Sequence, residues 1–142
     1  TMEDHAGDIL KEKSNSSMAL GLKLLAEGKG DGFLSGGNSG ALVVGTTMIV
    51  KRIKNIKRVA FAPVLPKEKG FFMLIDSGAN VDCKPEMLRQ FGVMGSIYMN
   101  KVMNVSNPRV GLANIGTEEH KGGDLQHEAY ALLKRVELCW KY

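Results

Sequence analysis

Three short stretches of this chain set polar side chains among glycines: "LSGGNSG" at 34–40, "IDSGANVD" at 75–82 and "NIGTEEHKGG" at 114–123. In the first, glycines let the backbone approach an anion, and Asn38 and Ser39 add polar groups near an expected helix start, a composition suited to phosphate. It lacks the lysine of GxxxxGK[ST] and does not follow GxGxxG. A tight turn capped by Asn38 or Ser39 accounts for the same residues. The second stretch crowds Asp76, Asn80 and Asp82 into one junction without the later glutamate of a calcium loop, so no metal is expected. Asp76 is expected to orient a turn or a neighbouring loop. Asn80 and Asp82 could contact substrate or cap the helix that begins near Pro85, and capping is the role chemistry favours for Asp82. Cys83 is either a thiol activated by a helix start or a small, half-buried one. The third stretch offers acids, a base and a cation in Glu118, Glu119, His120 and Lys121. Lys121 could neutralise a phosphate or a developing oxyanion, or the run could be a solvated loop. His5 and His127 have no fixed relation to a serine or cysteine, so no hydrolase triad is expected, and His127 reads as structural or exposed.

Helical and strand patterns alternate along the chain, which predicts an α/β layered sheet in a single domain over 1–142. A helix is predicted from about Ser17 to Glu27, with Met18, Leu22 and Leu25 on one face and Gly28 as its stop. "DGFLSG" reads as a short strand. A long helix is predicted from Asn38 to Ile56, carrying Leu42, Met48, Ile49, Ile53 and Ile56. "RVAFAPVLP" and "FFMLID" read as strands, the second buried, joined as an antiparallel hairpin through "PKEKG". Pro85 opens a helix with Leu88, Phe91, Met94, Tyr98 and Val102 on its apolar face, ended by Asn104 and Pro108. "RVGLANIG" reads as a strand, and Leu125, Ala129, Leu132, Leu133 and Val136 pattern a last helix from about Gly123. The three polar stretches then follow strand ends, where open α/β sheets bind ligands, so they could share one cleft.

The 142 residues, 44% hydrophobic and 24% charged, suit a folded globular chain. Cys83 and Cys139 lie far apart without a paired spacing, so neither a disulfide framework nor a zinc site is suggested, and a reducing cytoplasm is expected. No run of 18 apolar residues suggests a membrane span. A net charge of +4 is too small to imply nucleic acid. One basic concentration stands out, "KRIKNIKR" at 51–58, either a solvated helix end favoured by the helix dipole or a docking patch for an acidic partner.

The combination of "KEKSNSSMALGLKLLAEGKGDGFLSGGNSGAL", "LIDSGANVDCKPEMLRQFGVMG" and "NPRVGLANIGTEEHKGGDLQHEAYALL", in that order, resembles the PlsX family of bacterial phosphate acyltransferases. The resemblance implies a three-layer α/β/α fold with a mostly parallel sheet, related to the phosphotransacetylase and isopropylmalate dehydrogenase-like folds. It implies transfer of a fatty acyl group from acyl carrier protein to inorganic phosphate, with no cofactor, in a cytoplasmic homodimer that can associate peripherally with membrane. Lys121, Asn38 and Asn80 would lie nearest the chemistry. Lys13, Ser16, Ser17, Gly36, Gly37, Ser39, Gly40, Gly78, Asp82, Asn114, Gly116 and Gly122 would bind substrate.

Two motifs depart from the family pattern. AGNTGA becomes "GGNSGA", keeping a hydroxyl at Ser39, and KGNE becomes "KGGD", losing an amide at Gly123 and shortening the acid at Asp124. Family members are also longer, so this sequence reads as a central portion of such a protein. Alternatives are a noncatalytic α/β fragment or dimerisation module of the same ancestry, a small-substrate phosphotransacylase, or a dehydrogenase on a related fold, the last disfavoured by the missing GxGxxG.

Overall fold

In the computed structural model, which describes residues 3–116, 118 and 121–136, helix α1 spans Ser17–Ala26, close to the predicted range. Ser16 caps it, its Oγ accepting from the Ala19 N–H at 3.3 Å. At the other end Gly28 takes φ +70°. The N–H groups of Gly28 and Lys29 bond back to the carbonyls of Leu25 and Leu24, the paired closure that a left-handed glycine permits.

Helix α2 covers Ser39–Gly45 and runs on only as one wide turn, Thr46–Val50, so the helix expected to reach Ile56 stops six residues short. The threonines explain the widening. Thr46 Oγ1 donates to the Leu42 carbonyl and Thr47 Oγ1 to the Val43 carbonyl, both at 2.7 Å, occupying acceptors of the regular ladder. The Lys51 N–H then bonds five residues back, to Thr46 O at 2.8 Å, and Lys51 leaves the helix at φ +73°. The basic run 51–58 is therefore an irregular, mostly exposed segment and gains nothing from a helix dipole.

Two compact units divide the chain, Thr1–Val59 and Ala60–Tyr142. In the first, Ile9, Ala19 and Leu22 are buried, with Met18, Phe33, Ala41, Leu42, Val44 and Ile49 packed around them. Gly45 makes that closeness possible: a Cβ there would stand 2.5 Å from Leu22 Cδ1 and 2.9 Å from Ile9 Cδ1.

In the second unit β1 (Val64–Pro66) and β2 (Phe71–Met73) pair antiparallel, with Leu65 opposite Phe72, as the predicted hairpin. Lys67 N–H donates to Gly70 O at 3.1 Å, and Gly70 turns the chain at φ +89°. The strand expected to be buried is not: Phe71, Phe72 and Leu74 are each about two-fifths exposed, so neither face of it is fully covered among the described residues.

Pro85 opens helix α3 (Pro85–Lys101) at its first turn, as expected. Asn104 ends it in the left-handed region at φ +56°, and Asn100 Nδ2 donates to the carbonyls of Val105 and Ser106. Its buried face is rotated from the predicted one. Met87, Phe91, Gly92 and Gly95 are buried, whereas Tyr98 and Val102 are 43% and 56% exposed. Gly92 sets the rotation: a Cβ there would stand 2.8 Å from Leu133 Cδ2 of helix α4 (Asp124–Lys134), so the glycine lets α4 onto the α3 backbone, while Ile75 and Met73 lie against Gly95 at ordinary contact distance.

The described residues are thus mixed α and β, with one two-stranded antiparallel sheet. "DGFLSG" and "RVGLANIG", expected as strands, form none, because the described residues provide them no ladder partner.

Candidate functional site

The predicted residues fall into three groups, the first in the unit 1–59. There an open cleft of about 600 Å³ is lined by Lys13, Ser16, Ser17, Gly36, Gly37 and Asn38, so residues expected from two separate motifs share one surface. The short turn Ala6–Leu10 and the start of α1 bring up the lysine and the hydroxyls, while the chain after Phe33 supplies the glycines. Lys13 Nζ pairs with Asp4 Oδ2 at 3.3 Å, and its side chain is about half exposed, so the ammonium stays within reach of a solvent-borne anion. Ser16 Oγ serves the helix as an acceptor, leaving its O–H proton to donate elsewhere. Ser35 Oγ accepts from the Gly37 N–H at 3.4 Å. Asn38 has the bonds of a cap: its Oδ1 accepts from the Ala41 N–H at 2.9 Å and its Nδ2 donates to Asp4 O at 3.0 Å. Ser39 and Gly40 belong to the first turn of α2, where Gly40 lies against Ala6. Asp4, another wall of the cleft, was missed by the sequence reading because it lies nine positions before Lys13 with no pattern linking them.

The second group surrounds Asp76. Its Oδ1 accepts from the N–H groups of Phe61 at 2.8 Å and Ala79 at 3.1 Å. Its Oδ2 accepts from the Asn80 N–H at 2.7 Å and from Asn80 Nδ2 at 2.9 Å. Burial pushes this carboxyl up, but the Asn80 amide and the backbone N–H groups outweigh it and hold the group below its ordinary value. Asp76 therefore orients both a turn and a neighbouring loop, and Gly78, at φ +115°, lets the chain fold around it. Asp82 caps nothing, contrary to expectation. Lys84 is the residue before the helix, with no side-chain cap, and Asp82 is exposed two positions earlier. Cys83 is not an activated thiol either: burial, then the charges of Asp76 and Asp82, push its pKa up.

The third group is a loop closed on itself. Asn114 Nδ2 donates to Lys121 O at 2.8 Å, and the His127 ring sits 3.2 Å from the same carbonyl. Gly122 turns at φ +94°, where a Cβ would stand 2.7 Å from Asn114 Oδ1; a Cβ on Gly116 would stand 2.9 Å from Lys121 Cγ. Asn114, Gly116, Lys121 and Gly122 are thus brought together, and no carboxylate among the described residues pairs with the Lys121 ammonium. Glu119 and His120 lie outside the described residues. Gln126 Oε1 accepts from the Gly123 N–H at 3.0 Å, fixing the start of α4 without the amide lost at position 123.

Among the described residues no three His, Cys, Asp or Glu side chains converge as a metal ion would need, and no helix is long and apolar enough to cross a membrane. The arrangement presents cations, hydroxyls and backbone amides, the donors that bind a phosphate or oxyanion.

A family model described as "Fatty acid synthesis protein" matches residues 1–140. The chain is 52% identical over 128 residues to a phosphate acyltransferase of Clostridium kluyveri, covering 90% of this chain and 38% of that protein. It is 51% identical over 134 residues to one from Alkaliphilus oremlandii, covering 94% and 40%. With one from Clostridium acetobutylicum it shares 47% over 138 residues, covering 97% and 42%. The chain spans about two-fifths of the length of these relatives.

Proposed function

Because this chain belongs to the fatty acid synthesis protein family, we propose that it forms part of an enzyme that moves a fatty acyl group from acyl carrier protein to inorganic phosphate. The product is an acyl phosphate for phospholipid synthesis. The observation that carries the reading is the cleft where Lys13 and the Ser16 and Ser17 hydroxyls share a surface with Gly36, Gly37 and Asn38.

A phosphate oxygen attacks the thioester carbonyl carbon and the carbonyl electron pair moves onto oxygen. Collapse of that oxyanion reforms the carbonyl, breaks the C–S bond and expels the carrier thiolate, which takes up a proton. The protein's share is placement and charge neutralisation. Lys13, Ser16, Ser17 and the loop through Ser39 and Gly40 hold phosphate. Lys121, set by Asn114 between Gly116 and Gly122, neutralises phosphate or the oxyanion. Asn38 and Asn80 orient the groups nearest the reaction, with Gly78 and Asp82 beside the substrate.

For the intact protein we propose a three-layer α/β/α architecture in which 32–36 and 109–114 join a mostly parallel sheet. The same reading makes it a cytoplasmic homodimer, able to meet membrane peripherally, with the exposed Tyr98 and Val102 on α3 as candidates for the subunit contact.

Acyl phosphate trapped with hydroxylamine tests the reading. The intact protein should form it from long-chain acyl carrier protein in proportion to phosphate, and not from acetyl-CoA. Lys121→Ala should lower kcat/KM about 10²–10³-fold, the scale of losing one oxyanion donor. Unchanged activity in a folded variant removes Lys121 from the mechanism, and no trapped product from the intact enzyme rejects the function.

A further inference from the structure

We propose that Asp76 is a positioning residue for this acyl transfer and acts through Asn80, an inference that rests on the function just described. All four hydrogen bonds to its carboxylate come from N–H donors: Phe61, Ala79, and both the backbone and the side chain of Asn80. Only an ionised carboxylate, an acceptor at both oxygens, satisfies four such donors at once. The bond from Phe61 spans 15 residues, so one side chain ties the turn at 77–80 to the strand entry at 61. Ser77 reinforces the tie, its N–H donating to Phe61 O at 3.0 Å.

The geometry fixes more than backbone. With Nδ2 turned toward Asp76, the Asn80 amide has one orientation, its Oδ1 directed away from the carboxylate. Asp76 itself is half-buried and spends its lone pairs on the turn, so it serves the reaction without touching substrate. The assignment differs from a purely structural one in what it predicts for Asn80: loss of Asp76 should matter to catalysis only while Asn80 is there to be oriented.

A double-variant cycle in the intact protein reads this directly, using hydroxylamine-trapped acyl phosphate. Asp76→Asn places an NH₂ group against N–H donors and should lower kcat/KM at least tenfold. Asn80→Ala should cause a loss of similar size, and the double variant should be little worse than the poorer single one. Asp76→Glu, which keeps an all-acceptor group, should recover part of the activity when Asn80 is present and none in the Asn80→Ala background. That arm also decides the matter if Asp76→Asn does not fold. Losses that multiply, wild-type kcat/KM in Asp76→Asn, or rescue by glutamate irrespective of Asn80 overturn the proposal while an active wild type leaves the acyltransferase reading intact. A wild type that makes no acyl phosphate overturns both.

Discussion

A carboxylate surrounded by N–H donors is stable only while ionised, and this makes Asp76 an acid-sensitive point in the second unit. Its folded pKa lies below the unfolded value, so the stability it contributes is complete above about pH 4, the unfolded carboxylate value, and is lost as the pH falls through the folded one. Urea midpoints measured between pH 7 and pH 2 should fall more steeply below pH 4 in the wild type than in Asp76→Asn. Equal slopes would show that the ionised carboxylate contributes nothing. Sequence alone made Asp76 an organiser of the turn because aspartate among glycines bonds local N–H groups. The partner at Phe61 was invisible, since it depends on how the hairpin returns the chain. Asp82 does not cap the helix for a local reason: proline at the first helical position makes Lys84 the cap residue, which leaves Asp82 outside the helix.

At the level of elements, periodicity located α1, α3 and α4, and short apolar runs around a polar turn located the hairpin, but neither signal reveals which face of a helix is buried or where a helix breaks. The face of α3 follows its glycines, which leave a backbone groove that Leu133 fills, and hydrophobic spacing carries no record of grooves. The end of α2 follows two threonine hydroxyls bonded to carbonyls of the preceding turn. Its consequence is the irregular basic segment. No Asp or Glu occurs between Asp31 and Glu68, so five cations at 51–58 lie in a stretch with no acid of its own, beside an Ile53 that is 72% exposed. Arg52 donates to the Lys57 carbonyl and so shapes the segment, which makes Lys51, Lys54 and Arg58 the cleaner probes of charge. Replacing these three with alanine should slow association with acidic acyl carrier protein about tenfold at low ionic strength and flatten its salt dependence. Stopped-flow association rates across a salt series check this, and unchanged rates and slope would end the docking role.

For the whole molecule, the difference between the expected layered sheet and the observed two-stranded one comes down to backbone bonding. A strand is defined by its neighbours, and the segments 32–36 and 109–114 have no ladder among the described residues. Sequence pattern reports short apolar runs bounded by glycine and polar turn residues; it does not name the strands beside them. The chain spans about two-fifths of its relatives, and in the proposed architecture the rest of the protein supplies those neighbours. Central strands of a parallel sheet are covered on both faces, so their amides open only with large-scale unfolding. Hydrogen exchange on the intact protein should therefore find the amides of Phe33, Val110 and Leu112 protected to the same degree as those in the middle of α1. The exposed segment 51–58 should exchange orders of magnitude faster. If the amides at 33, 110 and 112 exchange as fast as those at 51–58, these segments are loops in the complete protein. The glycine-rich stretches after them would then owe their positions to the caps and side-chain bonds of Asn38 and Asn114, not to the ends of sheet strands.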